Sequence, residues 1–313
     1  MKDRRTFLKL LAAAVGTAQA VPAAYGGPTT PQAAAPAGTN VLKKSTLISM
    51  LPKERTYAER FAIARATGFE AIEMRTMPRE AEAAEIREAS QKTALKIHSV
   101  MNEDHWRLPL SSSDPDVVAR SVKGMETSFR NAVLWGADTV LLVPAVVDAN
   151  TPYKDAWTRS QRVIRERLLP MARDMKVIIG IEEVWNKFLL SPLEMARYVD
   201  EFESPWVRAY FDVGNVLIWA FPQDWIRTLG SRIVRIHVKD FSFDRQNGRF
   251  AWKNIGEGDI DWPAVRRALA DIKYSGYVTT EVSGGDEAYL KDLSQRLDRF
   301  FAGEKPVATS GAA

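Results

Sequence analysis

The sequence contains no cysteine and only three histidines among its 313 residues. Without cysteine the protein has no disulfide bond, no thiolate metal site and no cysteine nucleophile. Any metal ion bound by this chain must therefore be held by oxygen and imidazole ligands.

Charge of one sign and long apolar runs are also scarce. The formal net charge is +4, and Lys2, Arg4, Arg5 and Lys9 against Asp3 account for most of it. The rest of the chain is close to neutral, so it has no overall attraction for polyanions, and nucleic acid is not an expected partner. No run reaches the roughly 20 apolar residues that a membrane span requires. The sequence also lacks a G-x-G-x-x-G after a strand and a G-x-x-x-x-G-K-[ST], which removes support for dinucleotide binding.

The N-terminus has the features of a twin-arginine signal peptide in their usual order. The pair Arg4-Arg5 is followed by Phe7-Leu8-Lys9, an apolar run from Leu10 to Ala18 and an Ala18-Gln19-Ala20 cleavage pattern. We interpret residues 1–24 as this signal, which predicts a periplasmic or otherwise exported protein. Because this route carries proteins already folded around a metal or cofactor, it is a first indication of a bound ion.

The remaining chain divides by composition. Residues 25–44 form a Pro/Ala-rich linker with little apolar surface to bury, residues 45–302 form the catalytic domain, and residues 303–313 form a flexible tail.

Short apolar runs alternate with longer amphipathic stretches through residues 45–302. The runs predict buried parallel strands at Thr46 to Leu51, Ala71 to Met74, Leu95 to Val100, Thr139 to Val143, Val177 to Ile181, Ala209 to Phe211, Ile233 to Val238 and Tyr277 to Thr280. The clearest helical patterns are Glu80 to Gln91, Pro115 to Trp135, Tyr153 to Asp174, Ser191 to Glu203 and Trp262 to Lys273. Eight alternations at this length predict an α/β fold, a single-domain (β/α)8 TIM barrel.

Metal-competent side chains follow four consecutive predicted strands. They are Glu182-Glu183, Asp212, His237 and Glu281. The carboxyl ends of barrel strands meet at one rim, where the active sites of such barrels lie, so these side chains are expected to converge. Three carboxylates and one imidazole suit Mn²⁺, our first expectation, or Mg²⁺, and also accept Co²⁺ or Zn²⁺.

These segments carry a family resemblance. Ile181-Glu-Glu-Val-Trp-Asn-Lys187, Tyr210-Phe-Asp-Val-Gly-Asn215, Arg235-Ile-His-Val-Lys-Asp240 and Thr280-Glu281 resemble the metal-binding segments of the sugar phosphate isomerase/epimerase branch of the xylose isomerase-like TIM barrel superfamily. That branch includes ketose 3-epimerases and L-xylulose 5-phosphate 3-epimerase. The resemblance covers roughly residues 45–300.

The resemblance implies a ligand set and an activity. Its E-x-x-N pattern selects Glu183 with Asn186 over the neighbouring Glu182, so the implied metal ligands are Glu183, Asp212, His237 and Glu281. The two glutamates, Glu183 and Glu281, are also the implied catalytic acid and base. Ketose 3-epimerases carry a histidine three residues after the aspartate, whereas this chain has Asn215, which is closer to the pentulose-phosphate epimerase type.

Such residues suit proton transfer next to a sugar carbonyl. Removing that proton creates an enediolate, whose charge a divalent ion stabilises. Two carboxylates on opposite faces of the sugar invert the carbon and give an epimerase, whereas a shuttle on one face gives an aldose–ketose isomerase. We therefore expect an isomerase acting on a sugar or keto-sugar.

Further side chains near strand ends are candidates for substrate binding. They are Lys239, His98, Glu73, Trp106, Trp185 and Asn186. Lys239 lies two residues after His237 and so points the same way on a strand, where it either binds a substrate oxygen or phosphate or pairs with a rim carboxylate. The two tryptophans either stack on a sugar or belong to the core.

Other functions remain as alternatives. The same site could expel the aglycone from a 3-keto-glycoside, as a lyase, and export favours this because phosphorylated sugars are scarce outside the cytoplasm. A non-catalytic carbohydrate-binding protein is a further alternative, although binding alone does not require two carboxylates poised for proton transfer. An apurinic-site endonuclease shares the barrel but needs more histidines than the three present. A homo-oligomer is left open.

Overall fold

The computed structural model describes residues 40–102 and 104–307. The predicted signal peptide and residues 25–39 of the predicted linker lie outside the described residues, so export stays a prediction. No helix within the described ranges is long and apolar enough to cross a membrane.

Eight parallel strands close into a barrel. The described residues contain ten strands, eight in the barrel and two outside it. In chain order they are β1 (Leu42–Leu47), β2 (Ala71–Arg75), β3 (Lys96–Met101), β4 (Thr139–Leu142), β5 (Ile178–Glu182), β6 (Val207–Asp212), β7 (Ile233–Val238), β8 (Asp240–Asp244), β9 (Arg249–Lys253) and β10 (Gly276–Thr280). The closed order is β1-β10-β7-β6-β5-β4-β3-β2, while β8 and β9 form a separate antiparallel pair. The predicted (β/α)8 barrel is confirmed.

Helices cover the outside of the barrel between successive strands. They are α1 (Tyr57–Ala66), α2 (Glu80–Thr93), α3 (Pro115–Trp135), α4 (Tyr153–Val163), α5 (Leu169–Met175), α6 (Pro192–Asp200), α7 (Pro222–Leu229), α8 (Trp262–Asp271) and α9 (Glu287–Ala302). Their ends follow local rules. Ser191 and Glu194 form a reciprocal capping box at the start of α6, and Gly136 ends α3 with φ of 74°, a left-handed conformation that glycine adopts at little cost.

The long helical pattern from Tyr153 contains a local irregularity. Residues Ile164–Leu168 form a π-helical turn between α4 and α5, and Pro170 follows it. Proline has no backbone N–H and its ring crowds the carbonyl four residues earlier, so the chain widens there instead of continuing the regular hydrogen bonds.

The first strand begins earlier than predicted. We expected it at Thr46 to Leu51, but β1 starts at Leu42, and Ile48–Met50 form a 3-10 turn. Lys43 and Lys44 concealed the strand, since their positions at its start are partly or fully exposed, and the apolar residues after Leu47 are buried by turning over the barrel end. Residues 42–44 therefore belong to the barrel and not to a linker.

The predicted tail also begins later than expected. Gly303 ends α9, and Glu304 N donates to Arg299 O. Pro306 is buried, with its carbonyl near the guanidinium of Arg296. The chain from Gly303 to Val307 thus packs on the barrel, while residues 308–313 lie outside the described part.

Candidate metal centre

Four side chains converge where four neighbouring barrel strands end. Glu182 ends β5, Asp212 ends β6, His237 is the fifth residue of β7, and Glu281 follows β10. Each offers one ligand atom, and these atoms all lie within 4.8 Å of one another. Asp212 and His237 are fully buried and pair directly across the β6–β7 ladder. The cluster lies at the C-terminal rim of the barrel.

His237 is at the middle of the cluster. Its Nδ1 lies 3.1 Å from Glu182 Oε1, 3.2 Å from Glu281 Oε2 and 3.9 Å from Asp212 Oδ2. One imidazole nitrogen therefore faces three carboxylates, and these spacings allow all four groups to approach a single ion.

The candidate cluster differs from the sequence prediction at one of the four ligands. Glu183 was the implied ligand, but the cluster contains Glu182. Glu182 ends β5 and Glu183 follows it, and both side chains are buried. Glu183 Oε1 instead accepts a 2.8 Å hydrogen bond from the backbone N–H of Asp212. Its Oε2 is buried without a hydrogen-bond partner among the described residues, so the ligand role of Glu183 stays a prediction.

The surroundings of Asp212 fit a bound cation. Its Oδ1 accepts two 2.7 Å hydrogen bonds, from the backbone N–H groups of Gly214 and Asn215. Its Oδ2 is buried and accepts no well-aligned hydrogen bond from any described residue. The Lys239 ammonium, 3.1 Å from this Oδ2, supplies the positive charge that a buried carboxylate oxygen needs, and a cation bound at the same place would do the same. The donor set of oxygen and imidazole fits a hard or borderline divalent ion.

Glu73 orients the imidazole from below. Its Oε1 lies 3.1 Å from His237 Nε2, and its Oε2 accepts hydrogen bonds from Ser99 Oγ, at 2.6 Å, and from the Tyr210 hydroxyl. A carboxylate behind a histidine fixes the tautomer and leaves the other nitrogen free for a metal. Glu73 is fully buried behind the imidazole, and its predicted contact with substrate stays a prediction.

Two register irregularities place these supporting side chains. The β2–β3 pairing shifts between Ile72 and Glu73, and the β6–β7 pairing shifts between Ala209 and Tyr210. Such shifts turn the following side chain. Gly180 on β5 leaves room for the tyrosine, because a Cβ there would lie 2.9 Å from Tyr210 Cδ2.

Lys239 supplies a positive charge to the cluster. Its Nζ lies 2.8 Å from Glu281 Oε2 and 3.1 Å from Asp212 Oδ2. Of the two roles left open by the sequence, the structure shows the ion pair with rim carboxylates. Gly214 permits this position, because a Cβ there would lie 2.5 Å from Lys239 Cγ.

Burial and neighbouring charges shift the pKa values of the acidic groups in different directions. Burial raises the pKa of Glu182 to about 7, and burial together with the charges of Asp212 and Glu182 raises the pKa of Glu183 well above its usual value. Burial also raises the pKa of Asp212. Burial alone would raise the pKa of Glu281 as well, but the charges of Lys239 and His237 lower it.

The pKa values of the two basic groups, His237 and Lys239, are raised. Burial by itself would lower the pKa of His237 and of Lys239. For His237 the charges of Tyr210, Glu73 and Glu281 raise the pKa well above its usual value, and for Lys239 the charges of Asp212 and Glu281 do the same. The site therefore carries a strong negative potential that favours cations.

Two more of the predicted substrate contacts have structural roles. Asn186 is buried, its amide donating to Ala145 O at 2.6 Å and its carbonyl accepting from Phe188 N. His98 is fully buried below the site, where Arg235 Nε lies 3.2 Å from Nδ1 and Thr279 Oγ1 lies 3.1 Å from Nε2. Their predicted roles in substrate binding stay predictions.

The two predicted tryptophans lie at the rim. Trp106 is half-exposed on the turn Asp104–Trp106, beside the buried His105. Trp185 donates from its indole N–H to Asn215 O at 2.8 Å, and its ring stacks on Trp252 at 5.0 Å. Trp185 thus belongs to an aromatic cluster.

Sequence analysis missed the hairpin that completes this cluster. Strands β8 and β9 follow β7 and are joined through Asn247-Gly248, a dipeptide typical of hairpin turns that precedes the aromatic strand Arg249–Lys253. Beside the hairpin lies a cavity of about 430 Å³, whose lining includes Lys239 and Glu281 together with Trp252, Lys253, Asn254 and Tyr289. One candidate metal ligand, Glu281, therefore lines the cavity.

Comparison with known proteins agrees with this architecture. A family model described as xylose isomerase-like TIM barrel matches residues 61–300. The chain belongs to this family. The family resemblance found in the sequence is thereby confirmed.

Members of this xylose isomerase-like TIM barrel family that resemble the chain are sugar epimerases, which are isomerases. The L-ribulose-5-phosphate 3-epimerase of Escherichia coli O1:K1 / APEC is 27% identical over 242 residues, covering 72% of this chain and 81% of that protein. The solved structure of an L-ribulose 3-epimerase has a TM-score of 0.71 at 17% identity, covering 84% of this chain and 95% of that chain. That of 3-keto-D-glucoside 4-epimerase from E. coli has a TM-score of 0.66 at 14% identity, covering 83% and 99%. At these identities the structural likenesses establish the fold.

Proposed function

We propose that the protein is a divalent-metal-dependent sugar epimerase or ketol-isomerase that moves a proton next to a carbonyl. The observation that carries this proposal is the cluster of Glu182, Asp212, His237 and Glu281, whose ligand atoms lie within 4.8 Å of one another. A cavity large enough for a small molecule adjoins it at Glu281. Mn²⁺ is the proposed ion, since the donors are mostly carboxylate oxygen.

The four side chains would hold this ion, which when bound would stabilise the negative charge of an enediolate. Glu73 holds the His237 ring through Nε2 at 3.1 Å, so that Nδ1 faces the carboxylates. Asp212 is fixed through its Oδ1 by two backbone N–H groups. These contacts position the ligands before substrate arrives.

Glu182 and Glu281 are the proposed acid and base. Glu182 ends β5 and Glu281 follows β10, with β6 and β7 between them in the barrel wall. The two carboxylates therefore approach a ligand in the mouth from different directions. One carboxylate removes the proton from the carbon beside the carbonyl, and the other returns a proton to the opposite face, which inverts that carbon without net oxidation or reduction.

The relatives support a sugar ketone as the substrate class. The related E. coli protein is an L-ribulose-5-phosphate 3-epimerase. Export of this chain remains part of the proposal and rests on residues 1–24. The lyase alternative uses the same proton removal, but the aglycone then leaves instead of a proton being returned to the carbon.

Solvent isotope exchange tests the proposal. The protein loaded with Mn²⁺ is incubated with ketoses and keto-glycosides in deuterated water, and deuterium beside the carbonyl is followed by NMR. We expect exchange, and we expect Glu281→Gln to reduce its rate by roughly 100-fold or more, as loss of an acid–base group does. Metal content is measured in parallel, to separate lost proton transfer from lost ion.

Glu183→Gln is the matched control, since it changes the adjacent glutamate that lies outside the cluster. Absence of exchange with every keto sugar and keto-glycoside would leave only carbohydrate binding. Release of an aglycone from a 3-keto-glycoside would favour the lyase.

A further inference from the structure

The hairpin β8–β9 presents half-exposed aromatic rings at the barrel mouth. Phe250 is 54% exposed and Trp252 is 49% exposed, which is unusual for such large apolar rings grouped beside a cavity. Trp252 also lines the cavity that contains Glu281. The exposed aromatic surface is therefore continuous with the candidate metal centre.

The aromatic surface is held in place from behind. Trp185 stacks on Trp252, with ring centroids 5.0 Å apart and an interplanar angle of 25°, and also packs edge-on against Phe250. The indole N–H of Trp185 is bound to Asn215 O, in the loop after β6. Buried Phe241 packs under both tryptophans. Lys239 Nζ also lies over the Trp252 ring, 5.1 Å from its centroid, so a ligand would contact the remaining exposed part of this ring. The ring is positioned before any ligand binds.

Polar side chains of the cavity complete a surface suited to an uncharged polyol. Asn254, Ser283 and Lys253 offer an amide, a hydroxyl and an ammonium, and the Tyr289 hydroxyl lies 3.3 Å from Asn254 Oδ1. An apolar ring face with a few polar groups around it matches a sugar ring, whose C–H face is apolar and whose hydroxyls lie at its edge.

The same cavity is poorly suited to a phosphate. Its lining includes the carboxylates of Asp240 and Glu281, which repel a dianion. Of its two lysines, Lys239 is already held by Asp212 and Glu281, which leaves Lys253. Bidentate arginines are frequent in phosphate sites, and the lining of this cavity contains no arginine among the described residues.

We propose that the cavity beside Trp252 is a subsite for a second sugar ring, so that the substrate is a keto-glycoside in which the ketone-bearing ring reaches the metal centre and an uncharged ring stacks on Trp252. This inference rests on the proposed function, because it assigns the ring that reacts to the cluster around His237. It specifies the substrate class as a glycoside and not a sugar phosphate.

Binding measurements with three ligands test the subsite. The ligands are a methyl glycoside of a 3-keto-hexose, the matching disaccharide with glucose in place of methyl, and a ketopentose 5-phosphate. Dissociation constants are measured by titration calorimetry on the Mn²⁺-loaded full chain. We expect the disaccharide to bind roughly tenfold more tightly than the methyl glycoside, as stacking of one ring on an aromatic face provides.

Variants assign that preference to the aromatic face. Trp252→Ala should remove the tenfold preference, while Trp252→Phe should keep most of it and shows that the hairpin still folds. Phe221→Ala is the matched control, because Phe221 is a 68% exposed aromatic residue that is not part of the cavity lining.

The outcomes separate the subsite from the proposed function. Equal affinity for the methyl glycoside and the disaccharide overturns the subsite, and so does tightest binding of the phosphate with loss of that binding in Lys253→Met. If a ketose exchanges deuterium but no ligand depends on Trp252, the proposed function stands and the subsite is wrong. If none of the three ligands exchanges deuterium but the disaccharide binds through Trp252, the proposed function is wrong and a ring-binding site remains.

Discussion

Adjacent glutamates on one strand have different surroundings in this protein. Glu182 Oε1 lies 3.1 Å from His237 Nδ1, while Glu183 Oε1 accepts a hydrogen bond from the backbone N–H of Asp212. The difference follows from the two-residue repeat of a strand. A shift of one position along the chain therefore changes which groups a glutamate carboxylate contacts.

Replacing each glutamate in turn by glutamine tests which of the two binds the metal ion. Glu182→Gln removes one proposed ligand and should lower Mn²⁺ affinity by at least about 100-fold, the upper range seen when groups behind metal ligands are lost. Glu183→Gln keeps an oxygen that can accept from Asp212 N–H and should lower affinity by less than about tenfold. Calorimetric titration of both metal-free variants gives the comparison. The reverse order would return Glu183 to the ligand set.

Lys239 and a divalent ion compete for the same two carboxylates. Lys239→Met removes the ammonium that lies 2.8 Å from Glu281 and 3.1 Å from Asp212. Without metal, this leaves buried negative charge unpaired and should lower the free energy of unfolding by about 3 kcal/mol. With Mn²⁺ the loss should be smaller and the ion should bind more tightly, since its competitor is gone.

Thermal unfolding in the presence of EDTA and of Mn²⁺ measures this effect. The difference in Tm between the two conditions should be larger in Lys239→Met than in the unchanged protein. An equal or smaller difference would show that Lys239 does not compete with the ion.

Local sequence signals set where the helices begin and end. Several helices start at a residue whose side chain accepts from the first turn, such as Asp114 before α3 and Ser191 before α6. The hairpin β8–β9 was missed because its strands are short and partly exposed, so they lack the buried apolar run that marked the barrel strands. In the sequence, only the Asn247-Gly248 dipeptide indicates this hairpin.

The contribution of the α6 capping box to stability can be tested by substitution. Ser191 Oγ accepts from Glu194 N at 3.2 Å, and Glu194 Oε2 accepts from Ser191 N at 3.1 Å. Ser191→Ala should lower the free energy of unfolding by about 1 kcal/mol, because a backbone N–H loses its acceptor. Urea denaturation measures the change. Leu193→Ala, at a 73% exposed position of the same helix, should stay within about 0.5 kcal/mol of the unchanged protein.

The barrel as a whole encloses polar side chains as well as apolar ones. His98 is buried inside the barrel, stacked on Tyr277 with ring centroids 4.4 Å apart. Arg235 Nε lies 3.2 Å from its Nδ1, so this nitrogen accepts and the ring is neutral. Burial and the charges of Arg235 and His237 lower the pKa of His98 well below 6.5. The folded barrel therefore resists protonation of this ring.

This makes the stability of the whole molecule depend on pH. The unfolded chain binds a proton on His98 below its usual pKa of 6.5, whereas the folded chain does not. Stability from this group is present above pH 6.5 and is lost as the pH falls, by up to about 1.4 kcal/mol per pH unit. His98→Gln, whose carbonyl can accept from Arg235, should reduce the slope of unfolding free energy against pH between 6.5 and 5. Values at pH 8 give the structural cost of the substitution separately, and an unchanged slope would contradict the assignment.

Most of the architecture and much of the site could be read from the sequence. Eight apolar runs predicted the barrel because a strand covered on both faces needs consecutive apolar residues. Asp212, His237 and Glu281 were found because carboxyl ends of parallel strands share one rim. The surroundings of Glu183, Glu73 and His98 could not be read from the sequence, for one reason. Each depends on which way a side chain points and what packs against it, and distant strands decide that.

The amino-acid sequence by itself determined the fold and the kind of ligands available, since hydrophobic periodicity and the absence of cysteine are properties of the chain alone. Only the tertiary structure decided that Glu182 enters the site, that Glu73 from β2 holds His237 from β7, and that Lys239 lies between two carboxylates. It also brought Trp252 of the hairpin against Trp185 of the β5 loop. These contacts join residues far apart in the chain, and barrel closure and strand register set their distances.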